Sequence, residues 1–171
     1  MSLPVKKALI AMGCLLLAMV SFAQVKSGAY RLMLKSLLHH TVPEMQVQEA
    51  VSDSAHLVFL DAREPEEFGV SHIAGAIPVG YDHFTIAALP DLPKNARILV
   101  YCSVGYRSEK VTEQLYAAGY TNVSNLYGGI FEWINQGYPV VDGQGPTKRV
   151  HAYSPAWGVW LRKGKKVYGK N

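Results

Sequence analysis

The chain has 171 residues, of which 49% are hydrophobic and 18% are charged, a composition typical of globular proteins and not of disordered ones. Nine prolines and fifteen glycines without periodicity exclude a collagen-like fibre, and two cysteines exclude a disulfide-rich scaffold or a four-thiolate zinc site. The six histidines are scattered without paired ligand spacing, so we expect neither a metal nor another cofactor.

The formal charge of +4 is divided unevenly along the chain. Residues 42–143 contain all 13 acidic side chains and five basic ones, a net −8, whereas residues 144–171 contain seven basic side chains and no acidic one, a net +7. A basic tail suggests nucleic acid or anionic lipid as a partner. Its apolar groups favour packing on the acidic domain, so we expect no nucleic-acid partner. We predict burial of the tail over residues 150–161 through Tyr153, Trp157 and Trp160, with solvated lysines beyond.

The N-terminus has the pattern of an export signal. Lys6 and Lys7 precede an apolar run over residues 8–20, and Ser21 and Ala23 place small residues where a signal peptidase reads them. The run is shorter than the roughly 20 apolar residues that a membrane span requires. We predict cleavage after Ala23, a periplasmic or secreted protein and no stable membrane span after cleavage. An uncleaved membrane anchor is the alternative.

The predicted elements alternate between helices and strands. Apolar spacing, caps and prolines predict helices over residues 28–38, 43–51, 64–68, 82–88, 107–118 and 129–136. Short apolar runs predict strands over residues 57–60, near 76–77, over 97–101 and over 122–126. This alternation predicts a parallel sheet with helices on both faces.

The loop after the strand over residues 97–101 has the composition of a reactive site. In open α/β sheets ligands bind at the carboxyl ends of strands, and backbone N–H groups at a helix start attract anions. The same field favours the thiolate of Cys102, the one cysteine left after signal cleavage, as a nucleophile. Gly105 lets the loop curl, and Arg107 offers a guanidinium to an oxyanion. A cap or salt bridge at the helix start is the alternative role for Arg107.

Four motifs between residues 42 and 141 resemble the rhodanese family in order and spacing. They read LDAREPEEF over residues 60–68, HIAGA over 72–76, YCSVGYRS over 101–108 and GGIFEW over 128–133. The chain departs from the family pattern at Ser71, where glycine is usual. Val104 and Tyr106 make the active loop less polar than many, which leaves the sulfur donor open.

The resemblance implies a rhodanese-like single α/β domain with a central parallel sheet of about five strands flanked by helices on both faces. It implies sulfur transfer through a persulfide on Cys102, with Arg107 as the second catalytic residue. The substrate would be held by the loop residues Ser103, Val104, Gly105, Tyr106 and Arg107. Asp61, Arg63 and His72 would have supporting roles. The predicted organisation is a signal peptide (1–23), a helical segment (24–41), the rhodanese-like domain (42–143) and a basic tail (144–171).

Two rival functions differ in class. Phosphatases of the Cys-x5-Arg type also combine a cysteine, an anion-binding loop and an arginine, but only four residues separate Cys102 from Arg107. The shorter loop has fewer N–H groups and suits a persulfide better than a phosphate. A non-catalytic binding or redox-sensing module of the cell envelope is the other rival. For a sulfurtransferase, the partners are a small sulfur-containing anion, thiol or cyanide, or a protein thiol or persulfide.

Overall fold

A computed structural model gives the structure of residues 27–169. The predicted signal peptide of residues 1–23 therefore lies outside the described residues. Among the helices within residues 27–169, none is long and apolar enough to cross a membrane.

Helices and short strands alternate along the described chain. The α-helices are α1 (Gly28–Leu37), α2 (Val47–Ser52), α3 (Pro65–Val70), α4 (Tyr106–Ala117), α5 (Gly129–Asn135) and α6 (Pro155–Gly158). The first five strands are β1 (Glu44–Met45), β2 (Val58–Asp61), β3 (Ile77–Pro78), β4 (Ile98–Tyr101) and β5 (Val123–Leu126). Four more follow: β6 (Val140–Asp142), β7 (Gly145–Thr147), β8 (Arg149–His151) and β9 (Lys165–Val167).

The central sheet consists of five parallel strands in the order β1-β5-β4-β2-β3. Strand β4 lies in the middle and all four of its residues are buried, which explains its uninterrupted apolar sequence. Successive side chains of a strand point to opposite faces. Leu99 and Tyr101 accordingly pack with residues of α1, α2 and α5, while Ile98 and Val100 pack with residues of α4. The predicted α/β fold with a parallel sheet of about five strands is confirmed.

Two predicted helices differ from the structure. The helix predicted from residue 43 begins only at Val47, because Glu44 and Met45 form the edge strand β1 and pair with β5. The helix predicted over residues 82–88 is only a short 3-10 turn, Ile86–Ala88. The N–H groups of Tyr81 and Asp82 donate to the Glu64 carboxylate instead, both at 3.1 Å. Tertiary contacts override the local helical preference in both places.

The C-terminal segment adds two small strand pairs to this sheet. Strand β6 pairs with β7 in antiparallel fashion, and β8 pairs with β9 in parallel. Val150, Ala152 and Leu161 are completely buried in the cluster that covers the α1 face of the sheet. Tyr153, which was expected to be buried, is 53% exposed at a left-handed turn with a φ of 63°. Val150 and Ala152, which precede Tyr153, make the buried core contacts that the sequence analysis expected of the Tyr153 ring.

Candidate active site

The loop between β4 and α4 places Cys102 at the carboxyl end of the central strand. The cysteine is a free thiol and only 1% exposed. The N–H of Gly105 donates to Cys102 Sγ at 3.1 Å. Gly105 has a φ of +119°, a backbone conformation that favours glycine, and it caps α4. This turn aims a backbone donor at the sulfur.

Helix α5 binds the backbone of the same loop. Ile130 N–H donates to the Cys102 carbonyl at 2.9 Å, and Phe131 N–H donates to the Ser103 carbonyl at 3.1 Å. A Cβ on Gly129 would lie only 2.4 Å from the Cys102 carbonyl oxygen, so this close approach requires glycine. In a trans peptide the C=O and the following N–H point in opposite directions. The N–H groups of Ser103 and Val104 therefore point away from α5.

The start of α4 supplies further backbone donors. The first intrahelical bond runs from Glu109 N–H to the Gly105 carbonyl at 3.0 Å. The N–H groups of the helix before Glu109 have no intrahelical acceptor, and they form the positive end of the helix dipole. Buried Asn125 fixes this end of the helix, because its Nδ2 donates to the Gly105 carbonyl at 2.9 Å. Ser108 Oγ donates to Asn125 Oδ1 at 2.7 Å.

Arg107 forms a two-pronged pair with Glu67 of α3. Its Nη1 donates to Glu67 Oε2 at 2.6 Å and its Nη2 donates to Glu67 Oε1 at 2.8 Å. Nη2 also donates to Ser103 Oγ at 3.1 Å, so three of the five guanidinium N–H groups are engaged within the protein. This is the salt bridge that the alternative role for Arg107 anticipated. It ties α3 to the active loop.

The electrostatics of this pair favour both charged forms. Burial would raise the pKa of Glu67, but the hydrogen bonds and charge of Arg107 outweigh it, and the pKa is lowered. Burial likewise opposes the charge on Arg107, yet its hydrogen bonds with Glu67 raise the guanidinium pKa further. Sequence reasoning missed Glu67. The run Glu64-Pro65-Glu66-Glu67 gave three carboxylates and no means to choose among them.

Asp61 and Arg63 form a second, completely buried ion pair. Arg63 Nε donates to Asp61 Oδ1 at 2.9 Å, and Arg63 Nη2 donates to Asp61 Oδ2 at 2.6 Å and to the Ser71 carbonyl at 2.7 Å. The pair thus connects the end of β2 to the end of α3. The Arg63 guanidinium also lies over the Tyr101 ring, at 5.7 Å from its centroid, so the ion pair packs against the last residue of β4, next to Cys102.

His72 follows the end of α3 and contacts Phe68 and Val141. Its Nδ1 is 3.0 Å from the Phe68 carbonyl, and its ring stacks on the Phe68 ring with centroids 3.8 Å apart. The backbones of His72 and Val141 bond to each other in an isolated bridge. Neither His72 nor the Asp61 and Arg63 pair lines the cavity described next.

A cavity of about 220 Å³ opens beside the thiol. Five of its lining residues come from the loop and the start of α4: Cys102, Ser103, Val104, Tyr106 and Arg107. The cavity thus brings together the predicted loop residues except Gly105, which does not line it and instead forms the turn that donates to Cys102 Sγ. The sequence did not predict three more lining residues: Leu37 of α1, Trp157 of α6, and Tyr153, which precedes α6. These residues are far from Cys102 along the chain, so no local motif indicated that they would lie beside it.

Comparison with known proteins identifies the class. Residues 45–136, more than half of the chain, match the family described as Rhodanese-like domain, and the chain belongs to this family. We call residues 45–136 the family domain, and residues 27–44 and 137–169 the flanking segments.

The relatives include proteins named as sulfurtransferases. The chain is 29% identical over 99 residues to a sulfurtransferase of Allochromatium vinosum, covering 58% of this chain and 92% of that protein. It is 35% identical over 92 residues to the chloroplastic thiosulfate sulfurtransferase 16 of Arabidopsis thaliana, covering 47% of this chain and 77% of that one. A thiosulfate sulfurtransferase structure from Pseudomonas aeruginosa aligns with a TM-score of 0.52 and 27% identity, over 70% of this chain and 23% of that chain. These relatives support sulfur transfer as the general chemistry of the site.

Proposed function

We propose that this protein is a sulfurtransferase that carries sulfane sulfur as a persulfide on Cys102. One observation carries the proposal: Cys102 lines a cavity, and its Sγ accepts a hydrogen bond from Gly105 N–H at the start of α4. Backbone donors and a helix N-terminus stabilise a thiolate and equally the terminal sulfur of a persulfide. The site residues we assign to binding are Ser103, Val104, Gly105, Tyr106 and Arg107.

The reaction has two half-steps. The Cys102 thiolate attacks the sulfane sulfur of thiosulfate, the Sγ–S bond forms, and the S–S bond of thiosulfate breaks with its electron pair leaving on sulfite. An acceptor thiolate or cyanide then attacks the outer sulfur, and Cys102 departs as the thiolate. No electron is gained or lost overall, and the enzyme alternates between two forms, which gives ping-pong kinetics. A small persulfide or a protein persulfide is the other donor class that this chemistry accepts.

Arg107 is assigned to the oxyanion of the donor. The contacts with Glu67 and Ser103 use three of its N–H groups, which fixes the guanidinium plane beside the loop. The remaining donor capacity of the guanidinium is available to a sulfonate oxygen in the adjacent cavity. Asp61, Arg63 and His72 support the loop through the fold, since their contacts are with the ends of β2 and α3.

The intact mass of the purified protein before and after incubation with donor tests the proposal. Thiosulfate, or a small persulfide, should add roughly 32 Da, one sulfur atom, which a thiol reductant removes. Cys102→Ser should add nothing and should release no sulfite, because a serine hydroxyl stays protonated near neutral pH and forms no persulfide. Loading of Cys102→Ser would overturn the mechanism. Absence of loading in the wild type with every donor would favour the binding or redox-sensing module.

We also propose that the protein is exported, on the evidence of the N-terminal pattern of two lysines, an apolar run and Ser21-Phe22-Ala23. Sequencing the N-terminus of the protein from the periplasmic or secreted fraction should then begin at Gln24. Retention of Met1 in a membrane fraction would instead establish the uncleaved anchor.

A further inference from the structure

Part of the wall of the cavity is built by the flanking segments. Leu37 comes from the end of α1, and Tyr153 and Trp157 come from the C-terminal segment. Val104 and Tyr106 add apolar surface from the loop itself. Among the described residues that line this cavity, Arg107 is the one cation. The space beside the thiol is therefore largely apolar.

The three flanking residues that line the cavity each contact the rest of the protein. Tyr153 lies at a left-handed turn, its N–H donates to His151 Nδ1 at 3.3 Å, and its ring centroid is 5.2 Å from the Arg107 guanidinium carbon. Leu37 and Trp157 are partly buried against the core. The ring of Trp160, just after α6, stacks on Tyr30 of α1 with centroids 5.5 Å apart, which connects the two flanking segments. The apolar wall is thus a built part of the fold.

The charge of Arg107 is already balanced within the protein. Glu67 neutralises Arg107 through two hydrogen bonds, and the Tyr153 ring lies against the same guanidinium. Inorganic thiosulfate is a dianion with no apolar surface, so its transfer from water into this cavity is opposed by desolvation and gains little from the wall. A monoanion with an apolar substituent loses less hydration and gains by burying that substituent.

The size of the cavity fits the same class of ligand. About 220 Å³ is far more than the roughly 10–15 Å³ that one water requires, and it falls below the roughly 300–1,000 Å³ of sites for drug-sized molecules. Tyr106 is 37% exposed and Tyr153 is 53% exposed, so both rings have surface left to be covered by a ligand.

We propose that the flanking segments make this site selective for small organic sulfane-sulfur donors with an apolar group, above inorganic thiosulfate. Tyr153 and Trp157 are the specificity-determining residues. The proposal rests on the proposed function, since the donor loads sulfur onto Cys102. For a thiosulfonate RSO2–S⁻, the Cys102 thiolate forms a bond to the outer sulfur, the S–S bond breaks, and the electron pair leaves on the sulfinate RSO2⁻.

The test compares three donors on the full chain: thiosulfate, methanethiosulfonate and benzenethiosulfonate. The second-order rate constant of persulfide formation is measured for each from intact mass and from release of sulfite or sulfinate. We expect the order benzenethiosulfonate, methanethiosulfonate, thiosulfate, with a total range of about tenfold or more. A rate for benzenethiosulfonate equal to or below that for methanethiosulfonate would overturn the proposal.

Variants then locate the selectivity. Trp157→Ala and Tyr153→Asn, the latter chosen because asparagine tolerates a left-handed backbone, should each lower the benzenethiosulfonate-to-thiosulfate rate ratio by about fivefold to tenfold. Val159→Ala is the matched control, because Val159 lies next to α6, is 62% exposed and does not line the cavity, and the ratio should stay at the wild-type value.

The outcomes separate the two proposals. Equal losses for all donors in Trp157→Ala and Tyr153→Asn, at unchanged melting temperature, would show that these residues position the loop and do not select the donor. Loading by thiosulfate without any preference for organic donors would refute the selectivity and leave the proposed function standing. Failure of all three donors in the wild type would refute the proposed function itself.

Discussion

The family domain and the flanking segments contribute different parts of one site. The family domain supplies Cys102, which we propose as the nucleophile, together with the loop N–H groups and the Arg107–Glu67 pair. The flanking segments supply Leu37, Tyr153 and Trp157 to the wall of the cavity. The proposed reactive atoms therefore lie in the region that matches the family, whereas the surface proposed to contact the donor lies largely outside that region.

The family domain and the C-terminal flanking segment both contribute residues to the buried core. Leu161 of the C-terminal segment and Leu115 of α4 are both completely buried, one on each face of the sheet. If the flanking segments are part of the core, Leu161→Ala should lower the free energy of unfolding by about 2–5 kcal/mol, as should Leu115→Ala. Exposed Val159→Ala should change it by less than about 0.5 kcal/mol. Denaturant titration of the three variants checks this, and a Leu161→Ala effect as small as that of Val159→Ala would separate the segment from the core.

Within the family domain, Gly129 is where the backbone of α5 meets the active loop. Gly129→Ala should lower the free energy of unfolding by roughly 2–4 kcal/mol, because its φ of +57° is unfavourable for alanine and the new Cβ would meet the Cys102 carbonyl. Persulfide loading should fall with it, since the loop must shift. Gly143→Ala, at a glycine without a positive φ and with open space, is the control and should behave as wild type. Normal loading by a stable Gly129→Ala would show that the loop does not depend on this approach.

The two regions also differ in how well the sequence predicted them. The strand over residues 97–101, the loop and the helix after it were predicted nearly to the residue, because β4 is an uninterrupted apolar run and Gly105 and Gly119 mark the ends of the helix. The resemblance to rhodaneses rests on four local motifs, all of which lie within the family domain. Edge strand β1 was missed because only pairing with β5 makes two residues a strand.

The unpredicted part of the site depends on long-range packing. Glu67 was one of three carboxylates in a run, and only the position of α3 against the loop selects it. For Tyr153, sequence reasoning assigned the ring to the core, whereas the left-handed turn leaves it exposed beside Arg107. No local sequence pattern indicates that Tyr153 and Trp157 line the same cavity as Cys102, so this part of the wall is known only from the structure.

The link between α3 and the loop should be sensitive to acid. The folded pKa of Glu67 is lowered, so its ionised form contributes stability above its unfolded pKa of about 4.3, and this contribution is lost as the pH falls through the lower folded value. Glu67→Gln should cost about 2 kcal/mol near pH 7, because it leaves Arg107 partly unpaired. The difference in melting temperature between wild type and variant should shrink as the pH falls below the unfolded pKa of about 4.3 and through the lower folded value. A difference independent of pH would mean that Glu67 acts by shape alone.

The smallest expected effect distinguishes the two roles of Arg107. Arg107→Lys keeps the positive charge but loses the planar fork, and its three N–H donors cannot keep both Glu67 bonds and the Ser103 bond while also binding a donor oxygen. The donor oxyanion is present only while sulfur is loaded, and transfer from the persulfide to cyanide involves no such group. We therefore expect a loss of about tenfold in the rate of sulfite release and less than about threefold in thiocyanate release from preloaded protein. Equal losses in both half-reactions would assign Arg107 to positioning the loop through Glu67. In that case the anion would be bound by the backbone of the family domain, with the flanking wall alone distinguishing one donor from another.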